Sequence, residues 1–252
     1  MRILVTGYKG FIASNMVKAL EGHNVGLYEW GEPYPDVRGY NWVVHMGAIS
    51  STTEKDMNKL IAQNYESSVD LYNDCCKYGV NFQFSSSASV YGKSSEFKET
   101  SIVNPQSPYA WTKYMVEGYI KRNPSNKIIA QCFRYFNVYG PGEDHKGNQA
   151  SPFHQFKKQA EETGCVKVFE NSDKYLRDFI HVDEVIKTHM KFFNVSENGI
   201  WNLGTGKTMS FLDVAKKFSQ NIIEIPMPDI LKSSYQKYTC ADMTKMKNME
   251  II

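Results

Sequence analysis

Short apolar runs alternate along this chain with stretches in which apolar residues recur every three or four positions. Residues 2–6 (RILVT) form the first run, and residues 11–21 have the helical spacing. The same alternation predicts strands at 24–29, 42–49, 82–86, 127–134 and 200–203, and helices at 57–77, 109–122, 153–163 and from Ser210 onward. Strands that alternate with helices in this way predict an α/β fold with a doubly wound parallel sheet.

The linker between the second and third predicted strands is short. Only the 13 residues from Trp30 to Trp42 separate these strands, and they include two prolines and two glycines. A parallel crossover takes about a dozen residues even when it contains only its helix, so this linker has no room for a further strand and a further helix. We therefore predict a sheet of reduced size.

The composition fits one globular domain with an added lobe. The 252 residues are 42% hydrophobic, and 29 basic residues nearly balance 27 acidic ones, which argues against a nucleic-acid surface. Five cysteines without a Cys-x-x-Cys pair argue against a disulfide framework and against a thiolate zinc site. No apolar run is long enough for a membrane span, and no signal peptide is recognisable. We expect a cytoplasmic protein that binds no metal, nucleic acid or membrane.

A glycine turn joins the first predicted strand to the first predicted helix. The sequence Thr6-Gly7-x-x-Gly10-x-x-Ala13 lets the backbone turn tightly and approach a pyrophosphate, which the free N–H groups at the start of the helix stabilise. Glu29 follows Gly10 by 19 residues, at the end of the second strand, where a carboxylate accepts hydrogen bonds from a ribose. Strand, turn and spaced acid together predict a dinucleotide site.

A tyrosine and a lysine lie four residues apart, and therefore on one face, of a predicted helix. They are Tyr109 and Lys113, the only Tyr-x-x-x-Lys pair in the chain. An ammonium beside a phenol lowers the pKa of the phenol, so that the tyrosinate serves as a base near neutral pH. Ser87 ends the preceding strand and is expected to hydrogen-bond a reacting oxygen. The three residues predict a site at which a substrate hydroxyl loses its proton.

Several motifs give the chain a resemblance to a known family: TGYKGFIASN, HMGAISSTTE, FSSSASVYG, PYAWTK, FRYFNVYGPGEDHKG, RDFIHVDEV and NLGTG. Together they resemble the extended short-chain dehydrogenases/reductases that act on nucleotide sugars. Four segments narrow the resemblance to the ADP-L-glycero-D-manno-heptose 6-epimerase family: GAISSTTE, EDHKG, FENSDKYLRDF and IPMPDILKSSYQKYT. The resemblance implies a Rossmann-type fold, a homo-oligomer, and epimerisation of a nucleotide-activated sugar with one tightly bound NADP or NAD per chain.

The resemblance also implies roles for individual residues. The cofactor would contact Gly7, Gly10, Phe11, Ile12, Glu29, Met46, Gly47, Ala48, Ser50, Asn64, Tyr109, Lys113 and Val138. The catalytic residues would be Ser87, Tyr109, Lys113 and Lys146, the last as a second acid or base. The substrate would contact Ser87, Asn137, Asn148, His154, Phe169, Glu170, Asn171, Ser172, Arg177 and Tyr235, with the arginine suited to the diphosphate. Three further residues are interpreted as structural: His45, His181 and Asp178.

The chain departs from the family pattern in several places. Ala13 replaces the third glycine, Gln63 replaces an asparagine and Asn148 replaces a serine that contacts substrate. The short linker removes a region from which the family takes adenine and phosphate contacts, including lysines, so a preference for NADP has no support in the residues. The chain also stops soon after the last expected substrate contact, where relatives continue into a further helix, and we interpret it as a minimised relative.

We predict two interleaved units with a cleft between them. Residues 1–136 and 178–220 would form the NAD(P)-binding Rossmann-type domain, and residues 137–177 and 221–252 the substrate-binding lobe. Two alternatives to the epimerase stay open: another nucleotide-sugar 4-epimerase or dehydratase, and a catalytically silent dinucleotide sensor or scaffold. A dehydratase usually carries Asp-Glu after the catalytic serine, where this chain has Ala88-Ser89, and a silent binder has no need of Tyr109 and Lys113.

Overall fold

The computed structural model describes residues 1–229 and 236–251. In this part of the chain the strands are β1 (Arg2–Thr6), β2 (Asn24–Tyr28), β3 (Trp42–His45), β4 (Asn81–Ser87), β5 (Ala130–Tyr135), β6 (Asn137–Tyr139), β7 (Val166–Phe169), β8 (Leu176–His181), β9 (Gly199–Leu203), β10 (Thr208–Ser210), β11 (Ile222–Ile225) and β12 (Tyr238–Thr239). The α-helices are α1 (Phe11–Ala19), α2 (Met57–Leu60), α3 (Ser67–Tyr78), α4 (Pro108–Arg122), α5 (Pro152–Thr163), α6 (Val182–Phe192), α7 (Phe211–Lys216) and α8 (Thr244–Asn248).

The large sheet is parallel and has the strand order β2-β1-β3-β4-β5-β9. Helices α3 and α4 bury one face of this sheet, on which Leu4 and Phe82 lie, and helices α1 and α6 bury the other, on which Ile3 and Val44 lie. The strand order reverses direction at β1, so the carboxyl ends of β1 and β3 flank a crevice of the kind in which α/β proteins bind ligands. The prediction of a doubly wound parallel sheet is confirmed.

The reduced size of the sheet is also confirmed. No helix or strand intervenes between β2 and β3 in the described structure. The linker instead folds back onto the sheet, where Val37 is buried and the hydroxyl of Tyr40 occupies the space that a Cβ on Gly26 would take. A side chain at position 26 would therefore displace the linker from the sheet.

The predicted helix at 57–77 is one continuous helical segment with an irregular centre. Helices α2 and α3 are joined by a π-helical stretch at Ile61–Glu66, on which Asn64 is completely buried. A π-helical turn widens the backbone spiral, and such turns are frequent at functional sites. Here the stretch directs Asn64 toward the loop that follows β3, where its side chain bonds the backbone of Ile49.

Two small sheets build the lobe. Strands β10, β8 and β12 form one, with β6 paired to β8, and β11 pairs with β7 in the other. Phe156 of α5 and Val214 of α7 share a buried cluster with Val166. Residues 208–216 thus pack with the lobe, although the predicted boundary placed 178–220 with the large sheet, because the apolar face of α7 is buried against α5 and β7. Met246 shows the opposite difference. The predicted boundary placed it in the lobe, but it packs beside Trp201 of the large sheet.

The described residues lack the features of three other classes of protein: membrane-spanning, metal-binding and disulfide-linked. Within residues 1–229 and 236–251, none of the helices combines the length and the apolar character that a membrane crossing needs. The same residues contain no group of three or more His, Cys, Asp or Glu side chains suited to hold a metal ion. The five cysteines are free thiols.

Candidate active site

The glycine turn after β1 approaches the loop after β3 very closely. Gly7 has a φ of +69°, and a Cβ at this position would lie 2.4 Å from the Cα of Gly47. The Gly7 N–H donates to the carbonyl of Tyr28, and the Gly10 N–H donates to the carbonyl of Gly7. Gly10 precedes α1, whose first N–H groups therefore face the crevice. Position 7 therefore needs glycine for the two loops to meet, and the free N–H groups at the start of α1 suit a pyrophosphate.

A buried histidine ties the two loops of the crevice together. Thr6 Oγ1 accepts from the Gly47 N–H at 3.1 Å and lies 2.6 Å from His45 Nδ1. His45 Nε2 lies 2.8 Å from Ser68 Oγ, whose own proton goes to the carbonyl of Asn64. The ring is thus the Nε2–H tautomer, donating to Ser68 and accepting from Thr6. Burial lowers the pKa of His45 to about 3, which keeps the ring neutral, and the structural interpretation of this residue is confirmed.

The structure brings most of the predicted cofactor residues into one cavity. Its volume is about 200 Å³, and it is lined by Gly7, Gly10, Phe11, Ile12, Ala13, Glu29, Met46, Gly47, Ala48, Ser50, Ser85, Tyr135, His145 and Lys146. Asn64 stands behind this cavity and holds the loop at Ile49. Val138 lies on β6 and packs against two apolar clusters. Tyr109 and Lys113 do not line this cavity.

Glu29 is fixed at the rim of the cavity by backbone groups. Its carboxylate accepts from the N–H of Lys9 and from the N–H of Trp30, both at 3.2 Å. Its own N–H donates to the carboxylate of Glu32, which also pairs with the ammonium of Lys9 at 3.3 Å. The Glu29 N–H is the first cause of a lowered pKa at Glu32, and the carboxyl groups of both residues lie at this end of the site.

Tyr109 and Lys113 lie near the start of α4, and the side chains of both are buried. Ser107 caps this helix by accepting from the N–H of Ala110. Burial raises the pKa of Tyr109, and a hydrogen bond with Ser87 opposes that rise. The Lys113 ammonium donates instead to the carbonyl of Ser85 at 2.7 Å, and burial lowers the pKa of Lys113 to about 7. The expected lowering of the phenol pKa by the lysine is not found, because the ammonium is directed at the strand.

Sequence reasoning missed three residues that line the glycine-turn cavity: Ser85, Tyr135 and His145. Tyr135 Oη lies 2.7 Å from Ser85 Oγ and 2.6 Å from Nε2 of His189, a fully buried ring on α6. Ser85 thereby touches Tyr135 through its side chain and Lys113 through its carbonyl. A signal for Ser85 existed in the serine run at 85–87, but nothing in the sequence links 85, 135 and 189.

Lys146 lies in the same cavity as the glycine turn. Its ammonium is 5.1 Å from the centre of the Phe11 ring and 3.7 Å from the carboxylate of Glu143. Glu143 is completely buried and accepts from the Gly140 N–H at 3.1 Å and from the N–H and hydroxyl of Ser151 at 2.6 and 2.7 Å. One carboxylate thus fixes both ends of the loop that carries Lys146.

The predicted substrate residues occupy several parts of the lobe. Phe169 and Ser172 line a cavity of about 430 Å³ together with Phe211. Arg177 donates to the carbonyls of Leu176 and Gln236 and lies over the Phe211 ring at 5.5 Å. The remaining predicted positions have contacts of their own within the chain or are exposed: Asn137 donates to Asp178, Asn148 is exposed, His154 lies 3.9 Å from Asp144, Glu170 donates its N–H to Ile225, and Asn171 has a φ of +61°. Tyr235 lies outside the described residues.

Asp178 holds the turn at which the large sheet meets the lobe. The buried carboxylate accepts from the N–H groups of Thr205, Gly206 and Ala241 and from the hydroxyl of Thr205. The interpretation of this residue as a backbone anchor is confirmed. His181 is also structural at its Nδ1, which accepts from the N–H of Asp183 at the start of α6.

Comparison with known proteins places this geometry in a family. The profile of the NAD dependent epimerase/dehydratase family matches residues 32–204, more than half of the chain. An ADP-L-glycero-D-manno-heptose-6-epimerase of Brachyspira hyodysenteriae is 36% identical over an alignment that spans 97% of this chain and 90% of that protein. The chain belongs to the NAD dependent epimerase/dehydratase family. The predicted relationship to nucleotide-sugar epimerases of the extended short-chain dehydrogenase/reductase type is confirmed.

Solved structures of the family share the fold. A UDP-N-acetylglucosamine 4-epimerase of Methanobrevibacter ruminantium superposes with a TM-score of 0.88 at 23% identity and covers 98% of this chain and 90% of its own. The Helicobacter pylori ADP-L-glycero-D-manno-heptose-6-epimerase has a TM-score of 0.86 at 22% identity, with coverages of 97% and 88%. A UDP-glucose 4-epimerase of Thermotoga maritima, solved with UDP-glucose, reaches 0.84 at 26% identity, with coverages of 98% and 92%.

Proposed function

We propose that this protein epimerises a nucleotide-activated sugar, ADP-glycero-manno-heptose at C6, by transient oxidation and reduction. The observation that carries the proposal is that Lys146 lines the same cavity as Gly7 and Gly10, with Ser85 in its wall and the Ser87–Tyr109 pair two residues along the same strand end. The 36% identity to the Brachyspira hyodysenteriae enzyme supports the choice of sugar.

The residues present fit a nicotinamide dinucleotide. The glycine turn leaves the first N–H groups of α1 free for a pyrophosphate, and a Cβ at Gly7 would collide with Gly47 and displace this turn. Glu29 sits at the rim where the adenosine ribose would lie. When bound, the dinucleotide supplies the hydride acceptor and donor, so that oxidation and reduction cancel over one turnover. The loop at 46–50, held by Asn64, and Val138 would complete its contacts, with Tyr109 and Lys113 beside the nicotinamide ribose.

Two proton-handling groups suit an epimerisation. The substrate hydroxyl must lose a proton on one face of the carbon and regain one on the other, which a single tyrosine does poorly. We assign Tyr109, oriented by Ser87, to one face and Lys146 to the opposite face. Lys113 would act as an ammonium that holds the ribose and favours the ionised form of Tyr109 once substrate and cofactor are bound.

The lobe would bind the rest of the substrate. Arg177 offers a guanidinium to the diphosphate, and Phe169 and Ser172 line the neighbouring cavity. The sugar and nucleotide would contact further residues of the lobe and of the strand end: Ser87, Asn137, Asn148, His154, Glu170, Asn171 and Tyr235. We also propose that the enzyme is a homo-oligomer in solution, which light scattering on the purified protein tests.

The adenosine end favours NAD over NADP. Glu29 and Glu32 place two carboxylates beside the site of a ribose 2′-substituent, and the nearby ammonium of Lys9 is already paired with Glu32. A 2′-phosphate would meet like charge there. We expect NAD to bind at least tenfold more tightly than NADP in a calorimetric titration. Equal affinities would contradict the assignment.

The direct test of the reaction is conversion of the proposed substrate. Purified protein incubated with ADP-D-glycero-D-manno-heptose should change the configuration at C6 without net reduction of NAD, which proton NMR follows at the C6 signal. Absence of conversion, with turnover of a UDP-sugar instead, would move the assignment to that substrate.

Variants test the two assigned groups. Tyr109→Phe and Lys146→Met should each lower the epimerisation rate by about 100-fold or more, the usual contribution of a positioned acid or base. Both should still bind NAD, because neither substitution alters the glycine turn. Lys158→Met is the matched control, since Lys158 is exposed on α5 and pairs only with Glu162. Full activity of Lys146→Met would remove that residue from the mechanism.

A further inference from the structure

Three cavities of the structure adjoin one another along the carboxyl ends of β1, β2 and β3. The first is the glycine-turn cavity. The second, of about 100 Å³, shares Gly7, Glu29, Gly47 and Ala48 with it and also includes Trp30 and Gln63. The third, of about 400 Å³, shares Tyr28, Trp30 and Ser67 with the second. Because neighbouring cavities share these wall residues, the three form a row, here called the path, from Lys146, past Gly7 and Glu29, to the linker after β2.

The far end of this path exists because the linker is short. The third cavity is lined by the linker residues Trp30, Gly31, Glu32 and Tyr34 on one side and, on the other, by the helical segment that carries Ala62, Glu66, Ser67 and Asp70. No strand or helix lies between β2 and β3 among the described residues. The Pro- and Gly-containing linker and the π-helical stretch therefore form the walls together.

The side chain of Trp30 forms a partly exposed wall of this third cavity. Its residue is 48% exposed, although it lines both the second and the third cavities. Tyr34 is held differently, since its hydroxyl donates to Asp74 at 3.0 Å and its ring meets Tyr28 edge-on at 6.4 Å. A half-exposed aromatic ring that lines a concave site offers a stacking surface for a planar group.

Resting on the proposed function, we infer that Trp30 is the adenine platform of this enzyme and that the short linker has replaced the missing strand and helix as the adenine site. The base would stack on the indole in the third cavity, with Gln63 of the adjoining second cavity near its edge. The surrounding carboxylates, Glu29, Glu32, Glu66 and Asp70, line the path and disfavour any additional phosphate on the adenosine.

The experiment uses ADP-ribose, which carries the adenosine half of the dinucleotide and takes no part in hydride transfer. Its dissociation constant is measured by calorimetry on the full-length protein, freed of bound dinucleotide. In Trp30→Ala we expect this constant to rise by about tenfold or more, the range that base–aromatic stacking supplies, and the constant for NAD to rise by the same factor. Trp30→Phe, which keeps a ring, should restore most of the affinity.

A spectroscopic signature separates stacking from a general effect on the fold. Trp111 on α4 is the matched control, because it is 47% exposed and lines none of the three cavities. ADP-ribose should quench tryptophan emission in the wild type and in Trp111→Ala, and should leave the emission of Trp30→Phe unchanged.

Different results would contradict the adenine platform and the dinucleotide site on which it rests. Equal ADP-ribose affinity in Trp30→Ala and in the wild type overturns the platform and leaves the epimerase proposal intact. Quenching that persists in Trp30→Phe also overturns it. A wild type that binds neither ADP-ribose nor NAD overturns the dinucleotide site itself, and the platform with it.

Discussion

Tyr135 donates its phenolic proton to His189, and a chain of buried amides fixes that direction. The Gln131 side-chain N–H₂ donates to the carbonyls of Phe192 and Val195, so its oxygen accepts from Gln83. The Gln83 oxygen in turn accepts from His189 Nδ1, which leaves Nε2 as an acceptor toward Tyr135. Ser85 then donates to the Tyr135 oxygen and presents only lone pairs to the cofactor cavity.

Burial of two neutral histidines should make the fold sensitive to acid. The pKa of His189, like that of His45, is lowered to about 3 by burial, below its value of about 6.5 in an unfolded chain. The stabilisation is therefore complete above about pH 6.5 and is lost as the pH falls toward 3, because the unfolded chain binds protons that the folded chain does not. Urea unfolding between pH 7 and pH 4 measures this loss.

The matched variants are His189→Gln and Tyr135→Phe. The first removes one titrating group and should reduce the slope of the unfolding free energy by about 1.4 kcal/mol per pH unit near pH 5. The second removes a hydroxyl and keeps the ring of His189 buried, so it should lower stability at every pH with the slope unchanged. An unaltered slope in His189→Gln would contradict the neutral buried ring.

Glu143 should control the rate of epimerisation through the position of Lys146. Glu143→Gln replaces one acceptor oxygen by an amide donor that faces the N–H of either Gly140 or Ser151, at a cost of about 1–3 kcal/mol. We expect a fall of about tenfold or more in kcat with an unchanged dissociation constant for NAD. Asp144→Asn is the control, since its side chain is 91% exposed, and it should behave as the wild type. Equal kcat values for both variants would show that Glu143 does not affect the rate through the position of Lys146.

Glu117 and Arg134 form a buried ion pair that spans α4 and β5. Their side chains are 2% and 3% exposed, with hydrogen bonds of 2.7 and 3.0 Å, and Ser86 donates to the same carboxylate. Glu117→Gln leaves the guanidinium without its counter-charge and should destabilise the fold by about 3–5 kcal/mol in urea unfolding. The exposed Lys158–Glu162 pair provides the contrast, and Glu162→Gln should produce no measurable change.

Glu117→Gln should also shift the pH dependence of the reaction. Burial lowers the pKa of Lys113 to about 7, and the carboxylate of Glu117 opposes that lowering. Removing the charge should lower the pKa of Lys113 further, so that less of it is an ammonium at neutral pH. Since the proposed mechanism uses the ammonium, the alkaline limb of kcat/KM should move to lower pH in Glu117→Gln. A limb that stays in place would argue against that role of Lys113.

Asp178 should stabilise the junction of sheet and lobe through several hydrogen bonds. Asp178→Ala leaves the N–H groups of Thr205, Gly206 and Ala241 without their acceptor, each at about 1–3 kcal/mol if it stays buried. We expect a loss of stability larger than that of Asp183→Ala, a variant of an exposed aspartate at the start of α6. Equal unfolding midpoints for the two variants would show that water replaces the lost acceptor.

Much of the site was predictable because its residues lie next to their own structural signals. Gly7 and Gly10 follow a strand and precede a helix, and Tyr109 and Lys113 share one helical face, so local periodicity locates them. The boundary of the lobe was less predictable. Residues 208–216 follow β9 directly, and only the packing of Val214 against Phe156 assigns them to the lobe.

The sequence by itself determined the alternation of strands and helices, the glycine turn and the reduced sheet, since each depends on neighbours within a few residues along the chain. Only the tertiary structure decided that Ser85, Tyr135 and His189 share one hydrogen-bonded chain and that Trp30 opens onto the path from Gly7. Those contacts join residues on different elements, and the physical reason is that buried polar groups take whichever partners the packed sheet brings within reach.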